Sequence, residues 1–251
     1  GACPSRMDSP TSYISPESYD QISVIKGPQT VQYANTGSAA TVIFERRTED
    51  FSQDQNYHGQ ASVVVGSYGR LDQNIEAAVG DEQKYIRLNT NRSVSDSYQD
   101  GDGKTVPSDW ERWNADIALG WTPNADTWVE LTGGKADGEA VYAGRAMDGS
   151  KFARESLGLR VEKKNVSDVI KKIEAQVNYN FNDHVMDNYS LRKPPMMQMA
   201  TNVARKTLNA RLAMTQEWDN IDLITGIDTQ NNEHSIRKTD AMQGVAYQDQ
   251  P

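Results

Sequence analysis

The chain of 251 residues holds one cysteine, three histidines and eight methionines, and four of these side chains stand in two short pairs. Cys3 precedes Met7 in "CPSRM", and His184 precedes Met186 in "HVM". A thiolate, an imidazole and two thioethers make a donor set for soft ions: Cys and Met select Cu(I), and imidazole suits copper as well. Zinc fits less well, because its sites use Cys, His and carboxylates. Each residue also has an ordinary reading. A lone cysteine is commonly a small buried hydrophobe and methionine a flexible gap filler. A Cys–His pair can be a nucleophile and its base, but no oxyanion-hole glycine motif accompanies Cys3, and both methionines would then be idle. "GDGK" at 101–104 lacks the spacing of a phosphate-binding loop. "DGDG" lacks most ligand positions of a calcium loop. The expected protein is therefore not an enzyme.

Whether the two pairs can meet depends on the elements that carry them. Period-two alternation recurs from about residue 57 onward and indicates strands. In "IEAQVNYNFN", Ile173, Ala175, Val177, Tyr179 and Phe181 oppose Glu174, Gln176, Asn178, Asn180 and Asn182. His184 and Met186 continue the even, polar series, so they share one face of that strand. The same two-faced pattern runs through Ile75–Val79, Trp113–Trp121 and Leu208–Met214. About nine strands are expected, many longer than the usual ~5–6 residues. Short turns ("GDEQ", "TPNAD", "KNVSD", "WDN") alternate with long polar segments at 97–109, 134–151 and 188–202. Such alternation describes an antiparallel transmembrane β-barrel with its apolar face to lipid and its polar face to the lumen. A soluble β-sandwich or barrel shows the same strand pattern.

Composition narrows the partners. A formal charge of −9 and a pI near 4.9 disfavour nucleic acid. One cysteine excludes an internal disulfide framework. A mean hydropathy of −0.73 does not separate the two β architectures, because a barrel buries only every second residue in lipid. Met147, Met196, Met197 and Met199 fall in the long polar segments. They are either flexible filler over the barrel mouth or weak secondary thioether sites that pass copper inward. Met214 shares parity with Leu208 and Leu212 and is expected to face lipid, while His58 and His234 lack soft neighbours and read as structural or exposed.

The first fifty residues carry a more specific pattern: Ile22, Val24, Ile25, Lys26, Gly27 and Pro28, then Tyr33, then "ANTGSAATVIFERR". This resembles the C-terminal half of the plug domain of TonB-dependent outer-membrane receptors. "GSYGRLDQNIEAAVG" is similar to the family's first barrel hairpin. The chain departs from the family at Ala34 and Ala39–Ala40, where glycines are common. The resemblance implies a mainly β fold: the C-terminal half of an α/β plug at 1–50, then the N-terminal part of the barrel at 51–251. Family members have about 22 strands and a plugged lumen, so the chain reads as a piece of a larger receptor. The resemblance also implies the outer membrane of a Gram-negative bacterium, lipid contact, and coupling to the TonB complex through a segment outside this chain. The C-x-x-x-M and H-x-M pairs are similar to those of a copper receptor in this family, which implies that Cys3, Met7, His184 and Met186 bind copper between plug and barrel. A receptor for a metal–siderophore complex is the neighbouring alternative. A soluble or surface β-protein that sequesters metal or mediates adhesion is the alternative from another class.

Overall fold

The structure, a computed structural model, describes residues 9–27, 32 and 40–242. The calls on Cys3 and Met7 fall outside these residues. Two 3-10 turns, Pro10–Tyr13 and Pro16–Ser18, open the described part. Strands β1 (Gln21–Lys26) and β2 (Ala40–Glu45) follow and form a small antiparallel sheet. No α-helix occurs among the described residues. A proline opens each turn, and the β-branched residues Ile22, Val24, Ile25 and Thr41–Ile43 favour extended backbone in the two strands.

The rest is one antiparallel sheet of nine strands among the described residues, every strand beside its neighbour in the chain. These strands are β3 (Tyr57–Val65), β4 (Leu71–Gly80), β5 (Lys84–Ser95), β8 (Trp110–Asn124), β9 (Thr127–Ala140), β10 (Asp148–Lys164), β11 (Ile170–Asp187), β12 (Met197–Trp218) and β13 (Ile221–Met242). A separate small hairpin, β6 (Tyr98–Gln99) with β7 (Thr105–Val106), occupies the β5–β8 loop. The sheet is open, with β3 and β13 at its edges. The expected short turns all join strands at one end, while the connections at 96–109, 141–147 and 188–196 lie at the other. Two of these are shorter than their composition suggests. Strand pairing continues through polar sequence, so β9 and β10 extend to Ala140 and from Asp148, and β12 starts at Met197. Met197 and Met199 therefore stand on a strand, not in a loop.

Polarity across the sheet is inverted relative to a soluble protein. One face exposes Ile75, Val79, Ile86, Leu88, Ile117, Leu119, Leu157, Leu159, Val177, Tyr179, Leu208 and Leu212. Trp113, Trp121 and Trp218 are exposed as well, whereas Trp110 and Trp128 lie under the guanidinium groups of Arg70 and Arg160. The other face buries Asn74, Arg87, Asn89, Asn114, Asp116, Glu130, Arg154 and Glu162. These buried groups need partners, and the N-terminal segment supplies many. Ser18 Oγ accepts from Asn91 Nδ2 at 2.9 Å and Asn114 Nδ2 at 3.1 Å. Asp116 pairs with Arg154 at 2.9 Å and lies 3.8 Å from Arg46. Arg87 reaches the carbonyl of Arg47 at 3.0 Å and the carboxylate of Glu49 at 3.1 Å. The segment thus docks on the polar face largely by hydrogen bonds and ion pairs, with small apolar contacts at Phe51 and Tyr13.

Candidate metal centre

His184 and Met186 lie near the long-loop end of β11 on the same face, as their spacing requires. Both are buried, with exposures of 0% and 2%. Their Cα atoms are separated by two residues of extended chain, about 6.7 Å. On one side they stand opposite Phe152 and Gly149 of β10, and on the other opposite Val203 and Thr201 of β12.

The imidazole is held from two directions. Its Nδ1 lies 3.0 Å from the carbonyl oxygen of Lys151; a carbonyl can only accept, so Nδ1 carries a proton, which in the neutral ring leaves the lone pair on Nε2. The Phe152 ring sits 4.5 Å from the His184 ring, centroid to centroid. Gly149 leaves room for it, since a Cβ there would collide with the Phe152 ring. Phe152 in turn meets Tyr13 edge-on at 6.2 Å. Tyr13 belongs to the first 3-10 turn, ten positions after Cys3 and six after Met7. Those tethers span at most about 35 and 20 Å. Beside the pair, Lys151 lies 2.7 Å from the buried carboxylate of Asp183. That carboxylate is neutralised without an ion.

Among the described residues no group of three His, Cys, Asp or Glu side chains is arranged to hold a metal. His184 and Met186 offer two donors of the type suited to copper, and the set needs others to be complete. The remaining methionines are dispersed. Met147 is half-buried in the 141–147 loop, Met196 is exposed in the 188–196 loop, and Met197 and Met199 begin β12. Met214 lies beside exposed Leu212 and Leu208 on the apolar face. His58 stacks on Phe51 and meets Glu49 at 2.5 Å, and His234 is exposed on β13.

Sequence reasoning missed Phe152, Tyr13 and Gly149. Phe152 reaches His184 through the β10–β11 register, which slips between Gly149 and Lys151. Alternation within either strand carries no signal of that slip.

No protein-family model matches the chain, and no curated protein matches it. The chain is similar in structure to a solved protein named copper transporter OprC, at 55% sequence identity and a TM-score of 0.90. The match covers 95% of this chain and 38% of that one, so the chain spans well under half the length of its relative.

Proposed function

We propose that this chain, a relative of the copper transporter OprC over nearly its whole length, is the plug-side and first-barrel part of an outer-membrane receptor that takes up copper. In this reading residues 1–50 belong to the plug and 51–251 to the barrel. The observation that carries it is the similarity to a copper transporter at 55% identity, in a chain that buries His184 and Met186 on its polar face. An exposed apolar face supports lipid contact. On β11 the outward apolar series Ile173, Ala175, Val177 and Tyr179 spans about 20 Å along the strand, up to the buried Phe181. TonB is the proposed energy source, acting through a segment outside this chain.

Cys3, Met7, His184 and Met186 are the proposed ligands, with copper as the cargo. The contact of Tyr13 with Phe152, and of Phe152 with His184, supports the meeting, because it seats the N-terminal segment a few residues after Met7 against the imidazole's neighbour. The thiolate would dominate affinity, since it alone brings negative charge and loses a proton on binding. Nε2 of His184 would be the ligating nitrogen, its tautomer set by Lys151. The thioethers would favour Cu(I) over harder ions. Ligands drawn from two segments would make retention of copper depend on where the plug stands.

The test is mass-spectrometric metal analysis of the purified full-length receptor. Cys3→Ala is expected to abolish stoichiometric copper, while Met186→Ala weakens binding and leaves the fold unchanged. About one copper per chain persisting in Cys3→Ala would place the site elsewhere.

A further inference from the structure

Two of the long loops at the His184 end are joined through the side chain of Arg192. Arg192, in the 188–196 loop, donates through Nε to Asp148 Oδ2 at 2.6 Å and through Nη2 to Asp148 Oδ1. Nη1 also reaches the carbonyl of Arg145 at 3.0 Å, and Nη2 that of Tyr142 at 3.2 Å. Asp148 is fully buried, and its Oδ1 further accepts from the Tyr142 backbone N–H at 2.9 Å. Arg192 therefore grips both the start and the end of the 141–147 loop. A forked, charge-assisted pair of this kind is directional as well as strong.

The loop that carries Arg192 is itself braced. Asp187 accepts from the backbone N–H groups of Tyr189 and Ser190 at 3.1 and 2.8 Å, and from Ser190 Oγ at 2.6 Å. Asn188 bonds the carbonyl of Met197 at 3.1 Å and the N–H of Met199 at 2.8 Å. Both ends of this loop are tied to their own strands, and from its middle Arg192 reaches across to the neighbouring loop. The register places this clamp beside the proposed site: Asp148 opposes Asp187, and the next pair is Gly149 with Met186.

We propose that Arg192 is a positioning residue whose pair with Asp148 keeps the two loops closed at the His184–Met186 end of β11, and that copper leaves for the outside when this pair opens. The inference rests on the copper reading above. Opening breaks a pair whose carboxylate is buried, so the clamp should act on the rate of release more than on the equilibrium. The hydrogen bond to Asp148 raises the guanidinium pKa further, so Arg192 keeps its charge at any ordinary pH.

The experiment follows Cu(I) release from the copper-loaded, purified full-length receptor into excess bicinchoninate by absorbance, with copper content measured first. Arg192→Gln and Asp148→Asn should each retain about one copper per chain and release it about tenfold faster. Arg192→Lys, which keeps the charge but not the fork, should fall between. Unchanged rates in correctly loaded Arg192→Gln and Asp148→Asn overturn the clamp and leave the copper reading standing. Loss of copper from either variant at equilibrium overturns the clamp too, since the pair would then belong to binding. A wild-type protein without copper overturns the copper reading and the clamp with it. If Arg192→Gln is not recovered folded, Asp148→Asn decides alone.

Discussion

The imidazole of His184 touches a backbone carbonyl on one side and an aromatic ring on another, so its tautomer and orientation are set by the protein. Met186, two residues on, is just as enclosed. The other methionines differ in a way that predicts an order of occupancy. Met147 is half-buried, while Met196 and Met197 keep 76% and 47% of their surface exposed, and none of the three stands next to an imidazole. Silver, a soft stand-in for Cu(I), should first fill the site at His184 and Met186 in soaked crystals. At higher loading it should appear beside Met147 or Met196–Met199. Anomalous density confined to the first site at every loading would end the idea of secondary uptake sites. At this scale the sequence was informative where one strand's parity sufficed, as for His184 and Met186. It was silent where two segments had to meet, as for Tyr13 with Phe152, which are 139 residues apart.

Strand β5 shows how an element is locked to what lies on it. Arg87 is nearly buried and stands between two carboxylates, 3.1 Å from Glu49 and 3.5 Å from Glu130. Tyr85, two residues before, donates its hydroxyl to Glu130 and accepts from Trp128 Nε1 at 3.0 Å. Gly120 makes this possible, because a side chain there would collide with the Tyr85 ring. Replacing Arg87 with Met would take the guanidinium from between both carboxylates in a site largely closed to water, with His58 left beside Glu49. The expected loss is about 3 kcal/mol, seen as a lower midpoint of thermal unfolding. Protease sensitivity near 46–50 should rise with it, since Arg87 also holds the carbonyl of Arg47. An unchanged midpoint would mean that the network carries no net stability. The short turns flanking these strands were legible from "GDEQ" and "TPNAD". The extent of the strands at the other end was not, because backbone pairing carries β9, β10 and β12 through polar and glycine-bearing sequence.

The sheet exposes its apolar face, buries polar side chains from β4 to β12 and remains open at β3 and β13 among the described residues. Each edge presents unpaired N–H and C=O groups, which hydrocarbon cannot satisfy. The 251 residues expressed alone are therefore expected not to yield a heat-resistant, protease-protected monomer in detergent. Recovery of such a species by electrophoresis without boiling would contradict the open sheet. Alternation announced the two faces early; whether water or lipid lay outside was beyond it, since either architecture repeats every second residue. The tryptophans now sort themselves by that distinction. Trp113, Trp121 and Trp218 look outward, while Trp110 and Trp128 sit beneath arginines. In the proposed membrane setting the protein would carry two optical populations of indole, one open to collision with brominated acyl chains and one turned away from them, so its own fluorescence would gauge how deeply the sheet is immersed.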